Sequence, residues 1–336
     1  MPEEHTETET ILRDADTSPQ PRRKKVTGKI IAAAAAGLIL LLYAALSLNT
    51  YFGFNDELPS WDDLYCISGL RTRVYQEAGE ISVHFIDVGQ GDCALICTGE
   101  RNILIDCGEA EAFPRVSRYL RSAGVTRLDA VIMSHPHSDH MGCMYRVLRK
   151  FGASEAVMPE IPDILLPSTG SFVQLMEVTA EKNIPVTYAR PGMYIDTGGV
   201  GTLEILAPVR EYEDLNNFSD VLKYTYGDVS FLFCGDIESD AEHDILAAGA
   251  DVTADVIKVP HHGSGTSSTR LFVNAVQPAH AVFCAGAEND YGHPHENILK
   301  LYGSSGAEIH RTDTDGDIVF VTDGREIFVY DKRSAA

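Results

Sequence analysis

The stretch Ser134-His135-Pro136-His137-Ser138-Asp139-His140 sets three imidazoles and a carboxylate directly after the apolar run LDAVIM. An apolar, β-branched run reads as a buried strand, and titratable groups cannot follow it into a core unless something pairs them. The chain is thereby committed to a strand whose exit loop is polar and held in place. His135 and His137 alternate by two on an extended segment, so a tight turn can bring both rings to one metal ion. Asp139 and His140 then face a neighbouring position, and a loop of this kind can serve two ions at once.

The surrounding pattern is that of a large α/β domain. From Ile81 onward ISVHFIDVG, DCALICT and RNILIDCG are short apolar runs split by Gly-rich turns, which predicts a meander of strands. A helix is expected near 113–123, then the strand LDAVIMS, then a helix from just past His140 to about Phe151. TLEILAP, VLKYTYG, VSFLFCGD, ADVIKVP and HAVFCAG read as further strands, with helices near 238–248, 269–275 and 296–302. The closing DIVFVTDGREIFVY is a hairpin turned by Asp323-Gly324. Strands open and close the domain and helices interleave, which predicts an αββα sandwich with helices on both outer faces.

Residues 30–48, IIAAAAAGLILLLYAALSL, carry no charge over a length that crosses most of a hydrocarbon core as a helix. Arg22, Arg23, Lys24, Lys25 and Lys29 precede this segment, and no base follows until Arg71, so the N-terminus is expected in the cytoplasm and the bulk of the chain outside. The long polar leader and the lack of a small-x-small site after the span favour an uncleaved anchor over a signal peptide. Tyr51, Phe52 and Trp61 suit the outer membrane interface or packing against the domain. The expected order is a polar, basic cytoplasmic tail at 1–29, an anchor at 30–48, a stalk at 49–79, a large α/β domain at 80–330 and a short tail at 331–336.

Residues 1–29 are balanced at six acids and six bases, so the whole net charge of −22 belongs to the remainder, with 43 acids against 21 bases. Gripping a long duplex through many phosphates needs a basic surface, and this composition excludes it. Any phosphate must be held locally, by metal ions or a few bases. Of seven cysteines, Cys93, Cys97, Cys107, Cys234 and Cys284 lie in apolar runs and read as buried thiols. One disulfide involving Cys66, Cys143 or the others is left open, and no CxxC pair points to a structural zinc site.

The pattern His135-x-His137-x-Asp139-His140 resembles the HxHxDH signature of the metallo-β-lactamase fold. Together HFIDVGQGDCALI, NILIDCG, SHPHSDHMGC, NNFSDVLKYTYGDVSFLFCGDIE, KVPHHGS and NDYGHPHE resemble the hydrolase domain of ComEC-type competence proteins and their stand-alone relatives, over roughly residues 80–330. The resemblance implies one metal at His135 and His137, a second at Asp139 and His140, and a bridging carboxylate at Asp236. It gives the second ion one of His261 and His262, with His262 favoured by the His-Gly step. Asp236 would in any event be costly at the end of an apolar strand without compensation.

The chain departs from the wider fold in having no histidine between His140 and His243, so the first site lacks a ligand. Asn217 and Ser219 stand in the matching stretch, as substrate contacts or as turn caps. By the same resemblance Asp87, Gln90, Asp92 and Asp106 stand behind the ligands, where the carboxylates can hold imidazoles by their second nitrogen, with a turn-forming role beside Gly91 as the alternative for Asp92. Lys258, Ser264, Thr266 and Ser267 face substrate, though Lys258 also reads as an ordinary strand residue. His293 contacts substrate or donates a proton, Asp139 takes part in catalysis, and His295 starts a helix. His84, His243, His280 and His310 lack such context and read as structural, and TDTDGD lacks the final Glu of a calcium loop.

The resemblance implies a membrane-anchored exterior hydrolase that activates water between two divalent ions, with phosphodiesterase or nuclease action on single-stranded DNA. The alternatives are hydrolysis of a small envelope phosphoester of the phosphocholine type, or a non-catalytic metal-binding interaction module. Zinc suits the imidazoles and manganese the carboxylates and an open position.

Overall fold

The computed structural model describes residues 26–52, 61, 64 and 79–331. The basic cluster at 22–25, nearly all of the expected stalk with Cys66, and residues 332–336 lie outside the described residues. The chain divides into two compact units, 1–45 and 46–336. The helix Val26–Phe52 contains a segment, Gly28–Asn49, long and apolar enough to cross a membrane. At 1.5 Å per residue its 27 residues span about 40 Å, more than a hydrocarbon core of about 30 Å.

The larger unit is built on two mixed sheets. The first contains β1 (Ile81–Phe85), β2 (Ala94–Cys97), β3 (Asn102–Ile105), β4 (Leu128–Ile132), β5 (Ala153–Pro159), β6 (Val186–Ala189), β14 (Ile318–Thr322) and β15 (Ile327–Tyr330), in the order β15-β14-β1-β2-β3-β4-β5-β6. The second contains β7 (Tyr194–Ile195), β8 (Thr202–Ala207), β9 (Val221–Tyr226), β10 (Val229–Phe233), β11 (Val256–Lys258), β12 (His280–Phe283) and β13 (Glu308–Arg311), in the order β13-β12-β11-β10-β9-β8-β7. Strands β3 to β6 run parallel, as do β10 to β13, while the remaining pairs are antiparallel, with β14 returning from the far end of the sequence to lie beside β1.

Parallel neighbours need crossovers, and helices supply them. Phe113–Ser122, Met144–Phe151 and Gly170–Glu181 cover the outer face of the first sheet, while Ser239–Ala247, Arg270–Val276 and Glu296–Ser305 cover that of the second. The helix Met144–Phe151 shows why: it buries Met144, Val147, Leu148 and Phe151, an i, i+3, i+4, i+7 stripe. Each such side chain contributes about 1.5–3 kcal/mol on burial. A third apolar layer, with Phe85, Phe231 and Phe320, lies between the sheets. The result is the expected αββα sandwich.

The sequence reading assigns no element between Phe151 and Thr202, yet β5, the helix Gly170–Glu181, β6 and β7 form there. Of these, β6 and β7 are weakly patterned. Strand β6 is an edge whose first three residues are only partly covered, and β7 has two residues, so neither carries a clear alternation. The six described cysteines are all buried free thiols, so no disulfide forms among them.

One buried charge was not anticipated. Asp220, just before β9, is 1% exposed, its backbone N–H donates to Ser134 O, and neither carboxyl oxygen has a hydrogen-bond partner. It borders a cavity of about 10 Å³ shared with Asp92, Asp106 and Lys258. Burial, and secondarily Asp106, pushes its carboxyl well above the usual range. The native state therefore holds a proton that the unfolded chain releases near its ordinary carboxylate pKa. That contribution is fully present below the unfolded value and is lost as pH rises through the raised native one. Asp220→Asn keeps a neutral group of the same shape and escapes this loss. The Tm of the wild type minus that of Asp220→Asn is expected to fall as pH rises above the ordinary carboxylate range, and a flat difference would show that Asp220 does not titrate there.

Candidate metal centre

The site residues leave the carboxyl ends of parallel strands, where open α/β sheets place their crevices. Asp106 follows β3, the histidine loop follows β4, Asp236 follows β10, and His261 and His262 follow β11. Two sheets thus deliver their loops to one place. The approach is tight: a Cβ on Gly91, at φ +116°, would lie 2.0 Å from Asp139 O, so only glycine lets the loop after β1 bring the Asp92 N–H to Asp139 O at 3.1 Å.

Asp236 lies at the centre and is 2% exposed. Its Oδ1 is 3.2 Å from His140 Nε2, and its Oδ2 is 3.3 Å from His262 Nε2, 3.8 Å from His261 Nε2 and 4.0 Å from His135 Nε2. Asp139 Oδ2 is 3.3 Å from His262 Nε2, and His140 Nε2 is 3.3 Å from His262 Nε2. His137 joins through His135, with Nδ1 2.9 Å from His135 Nε2. Ligand-capable atoms of Asp92, His140, Asp236 and His262 all lie within 4.8 Å of one another.

The rings are held from behind. His140 Nδ1 is 2.8 Å from Asp106 Oδ2, and Asp106 also accepts from the Ser134 N–H and hydroxyl. His262 Nδ1 is 2.8 Å from Cys284 O and 3.2 Å from Asp92 Oδ1, while Asp92 Oδ2 pairs with Lys258 Nζ at 2.7 Å. His140 and His262 therefore spend Nδ1 on their supports and turn Nε2 inward. His261 and His262 both adopt left-handed backbone, φ +50° and +54°, a conformation that costs non-glycine residues about 1–3 kcal/mol each. In this left-handed turn the strand rule that successive side chains point to opposite faces does not operate. His262 is buried, while His261 is partly exposed and faces Glu238 Oε1 at 3.4 Å and Thr266 Oγ1 at 3.3 Å.

The electrostatics follow from this crowding. Burial alone would raise Asp236, but His140 and His262 hold it well below its ordinary value. Burial would likewise lower His140 and His262, and the surrounding carboxylates, Asp236 foremost, outweigh it and raise both. His135 and His137, lacking such close carboxylates, are lowered chiefly by burial. His293 sits with its ring 5.6 Å from that of His261 and 6.2 Å from that of His262, and burial with those neighbours lowers it to about 4.

Several expectations require correction. Asp87 does not hold an imidazole; it pairs with Arg115 and accepts from the Gly89 N–H. Lys258 is 3% exposed and locked on Asp92 and Val259 O, out of reach of substrate. Asn217 is buried and joins Asp214 to the Glu238 N–H, which makes it a loop brace. Ser219 is buried against the site's inner side, accepting from the Asp236 N–H at 3.0 Å and lying 3.3 Å from His135 Nδ1. Ser267 is buried and donates to Ile237 O, and the buried Ser264 hydroxyl meets Thr266 Oγ1. Gln90 accepts from the Gly286 N–H and holds no imidazole, whereas His295 stands, as expected, at the start of the helix Glu296–Ser305, where its ring accepts from the Gly265 N–H instead of capping the helix. Ser134 and Glu238 were missed; their only sequence signal is adjacency to His135 and to Asp236.

The sequence profile of the Metallo-beta-lactamase superfamily matches residues 86–287. The chain is similar to ComE operon protein 3 of Bacillus subtilis, 26% identical over 72% of this chain and 33% of that protein. It is also similar to competence protein ComA of Neisseria gonorrhoeae, 32% identical over 87% of this chain and 38% of that protein. The chain thus spans little more than a third of the length of these relatives. A mutant of the β-hydroxylase CmlA has a similar fold, with a TM-score of 0.50 at 14% identity, over 82% of this chain and 62% of that one. With the profile covering well over half of the chain and the two-sheet architecture in agreement, the chain belongs to the metallo-beta-lactamase superfamily of metal-dependent hydrolases and is related to competence proteins.

Proposed function

We propose that the chain is a membrane-anchored phosphodiesterase whose centre takes two divalent ions, one at His135 and His137 and one at Asp139, His140 and His262, with Asp236 shared. The observation that carries this reading is the set of four imidazoles within 4.0 Å of the buried Asp236 carboxylate. The donor set fits cations. Asp236 Oδ1 is buried without an aligned hydrogen bond, Asp139 and Asp236 are held ionised, and the inward Nε2 atoms meet one another at 3.3 Å. Bound there, zinc or manganese would supply Lewis acidity and activate water near neutral pH.

The chain's own residues supply the orientation. Asp106 and Cys284 O hold the Nδ1 protons of His140 and His262, which leaves the opposite nitrogens as donors toward the centre. His293, neutral at pH 7, suits hydrogen bonding to a substrate oxygen better than it suits standing proton donation. Thr266 and the partly exposed His261 border the same rim. Kinship with competence proteins favours a nucleic-acid substrate. The acidic composition favours a single strand held at a few points over a long duplex. A second reading, a metal-binding module without catalysis, draws on the absence of any histidine between His140 and His243.

The decisive measurement is hydrolysis of bis(p-nitrophenyl) phosphate, single-stranded DNA and p-nitrophenyl phosphorylcholine by metal-loaded protein. Turnover of the first two is expected; turnover of the choline ester alone would move the substrate class to small phosphoesters, and none would leave the binding module. Asp236→Asn is expected to lose metal and activity together while keeping the wild-type circular dichroism, because it weakens both positions at once. Full activity at normal metal content would remove Asp236 from the shared position.

The histidine pair separates in the same assay. His262→Ala should lose much of one metal equivalent, whereas His261→Ala should keep the metal and chiefly change turnover. The reverse result would transfer the ligand role to His261.

The anchor has its own test. With the basic residues Arg22 to Lys29 before the span and acids after it, protease added to intact protoplasts should digest the region beyond Leu48 and spare an N-terminal tag. Cleavage of the tag would reverse the orientation.

A further inference from the structure

We propose a second metal site, separate from the catalytic centre, in which His280, Glu308 and His310 bind one zinc-type cation at the open edge of the sandwich. His280 and Glu308 each begin a strand of the second sheet, β12 and β13, whereas the catalytic loops leave the opposite, carboxyl ends of the parallel strands. In the parallel register His280 pairs with Glu308 and Val282 with His310, so strand alternation puts all three side chains on one face. That face is the inner one, where both imidazoles pack edge-on against Phe320 of the first sheet at 5.4 Å.

The geometry is that of ligands around a small ion. His280 Nδ1 lies 3.1 Å from His310 Nε2 and 3.7 Å from Glu308 Oε2, and the three ligand-capable atoms lie within 4.8 Å of one another. Two nitrogens at zinc–nitrogen distances in a tetrahedron stand roughly 3.3 Å apart, so the imidazoles need almost no movement. Burial keeps His280 below its ordinary pKa, in the neutral form that binds metal. His310 also belongs to a group with Asp315 and Asp331, whose ligand-capable atoms lie within 4.8 Å. Carboxylates around a ligating imidazole are the usual device for fixing its orientation and raising its basicity.

Two histidines and a carboxylate leave a fourth tetrahedral position for water. With no reactive group of the catalytic loops in this cluster, the ion's role is a clasp. It ties β12 to the edge strand β13, while Phe320 and Asp331 tie that edge to the first sheet. Such a site binds the native state alone and stabilises it by mass action.

The test is zinc titration of the full chain in detergent, against a chromophoric chelator, for the wild type, His280→Ala and Glu308→Gln. The wild type should bind one equivalent more than His280→Ala, and Glu308→Gln, at an exposed position that cannot unfold the protein, should weaken that equivalent about tenfold. The last equivalent should raise the Tm of the wild type and leave that of His280→Ala unchanged, with hydrolysis of bis(p-nitrophenyl) phosphate equal in both. Equal stoichiometry in all three proteins would overturn the proposal and leave His280 and His310 as a hydrogen-bonded imidazole pair. Because the readout is the difference between proteins that share the catalytic centre, it stands whether or not that centre is a phosphodiesterase.

Discussion

A carboxylate buried at the end of an apolar strand is the constraint around which this unit is arranged. Asp236 is 2% exposed, and an isolated charge in that place would be prohibitive. It survives because His140 and His262 approach within 3.3 Å. Their own burial is in turn compensated by Asp106 and Asp92, and Asp92 by Lys258. Removing one member of such a network leaves the others uncompensated, which costs more than any single pair contributes. The same arrangement suits a divalent cation, which would take the place of the inward imidazole protons: carboxylates gathered in a dry place, with ring nitrogens already oriented.

The sheets make that concentration affordable. Strands β3, β4, β10 and β11 end at one rim, so loops far apart in sequence meet without any of them entering the apolar layers. The left-handed turn at His261 and His262 and the glycine at position 91 are local concessions to this convergence. The opposite strand ends are free of it, and there the pairing of β12 with β13 assembles a smaller group of imidazoles against Phe320.

The sandwich was legible because its strands and helices have opposite periods, and the helix Met144–Phe151 carries its stripe in plain sequence. The ligand loop was legible because its chemistry is local: His135, His137, Asp139 and His140 lie within six residues. Strands β6 and β7 were not, because half-covered edge strands leave no alternation to read. Lys258 and Asp87 were misjudged for a related reason, since a residue's sequence position at a strand end does not reveal whether a partner covers it.

The sequence by itself determined most of the elements, the apolar N-terminal helix, the acidic character of the domain and the identity of the groups able to hold metal, because each depends on residue type and short-range period. Only the tertiary structure decided that Lys258 neutralises Asp92 instead of meeting substrate, that Ser219 supports Asp236, that Asp220 is buried without a partner, and that His280 and His310 meet. Each of these rests on contacts between strands or loops distant in sequence, and the charge state of a buried group is set by what surrounds it in space.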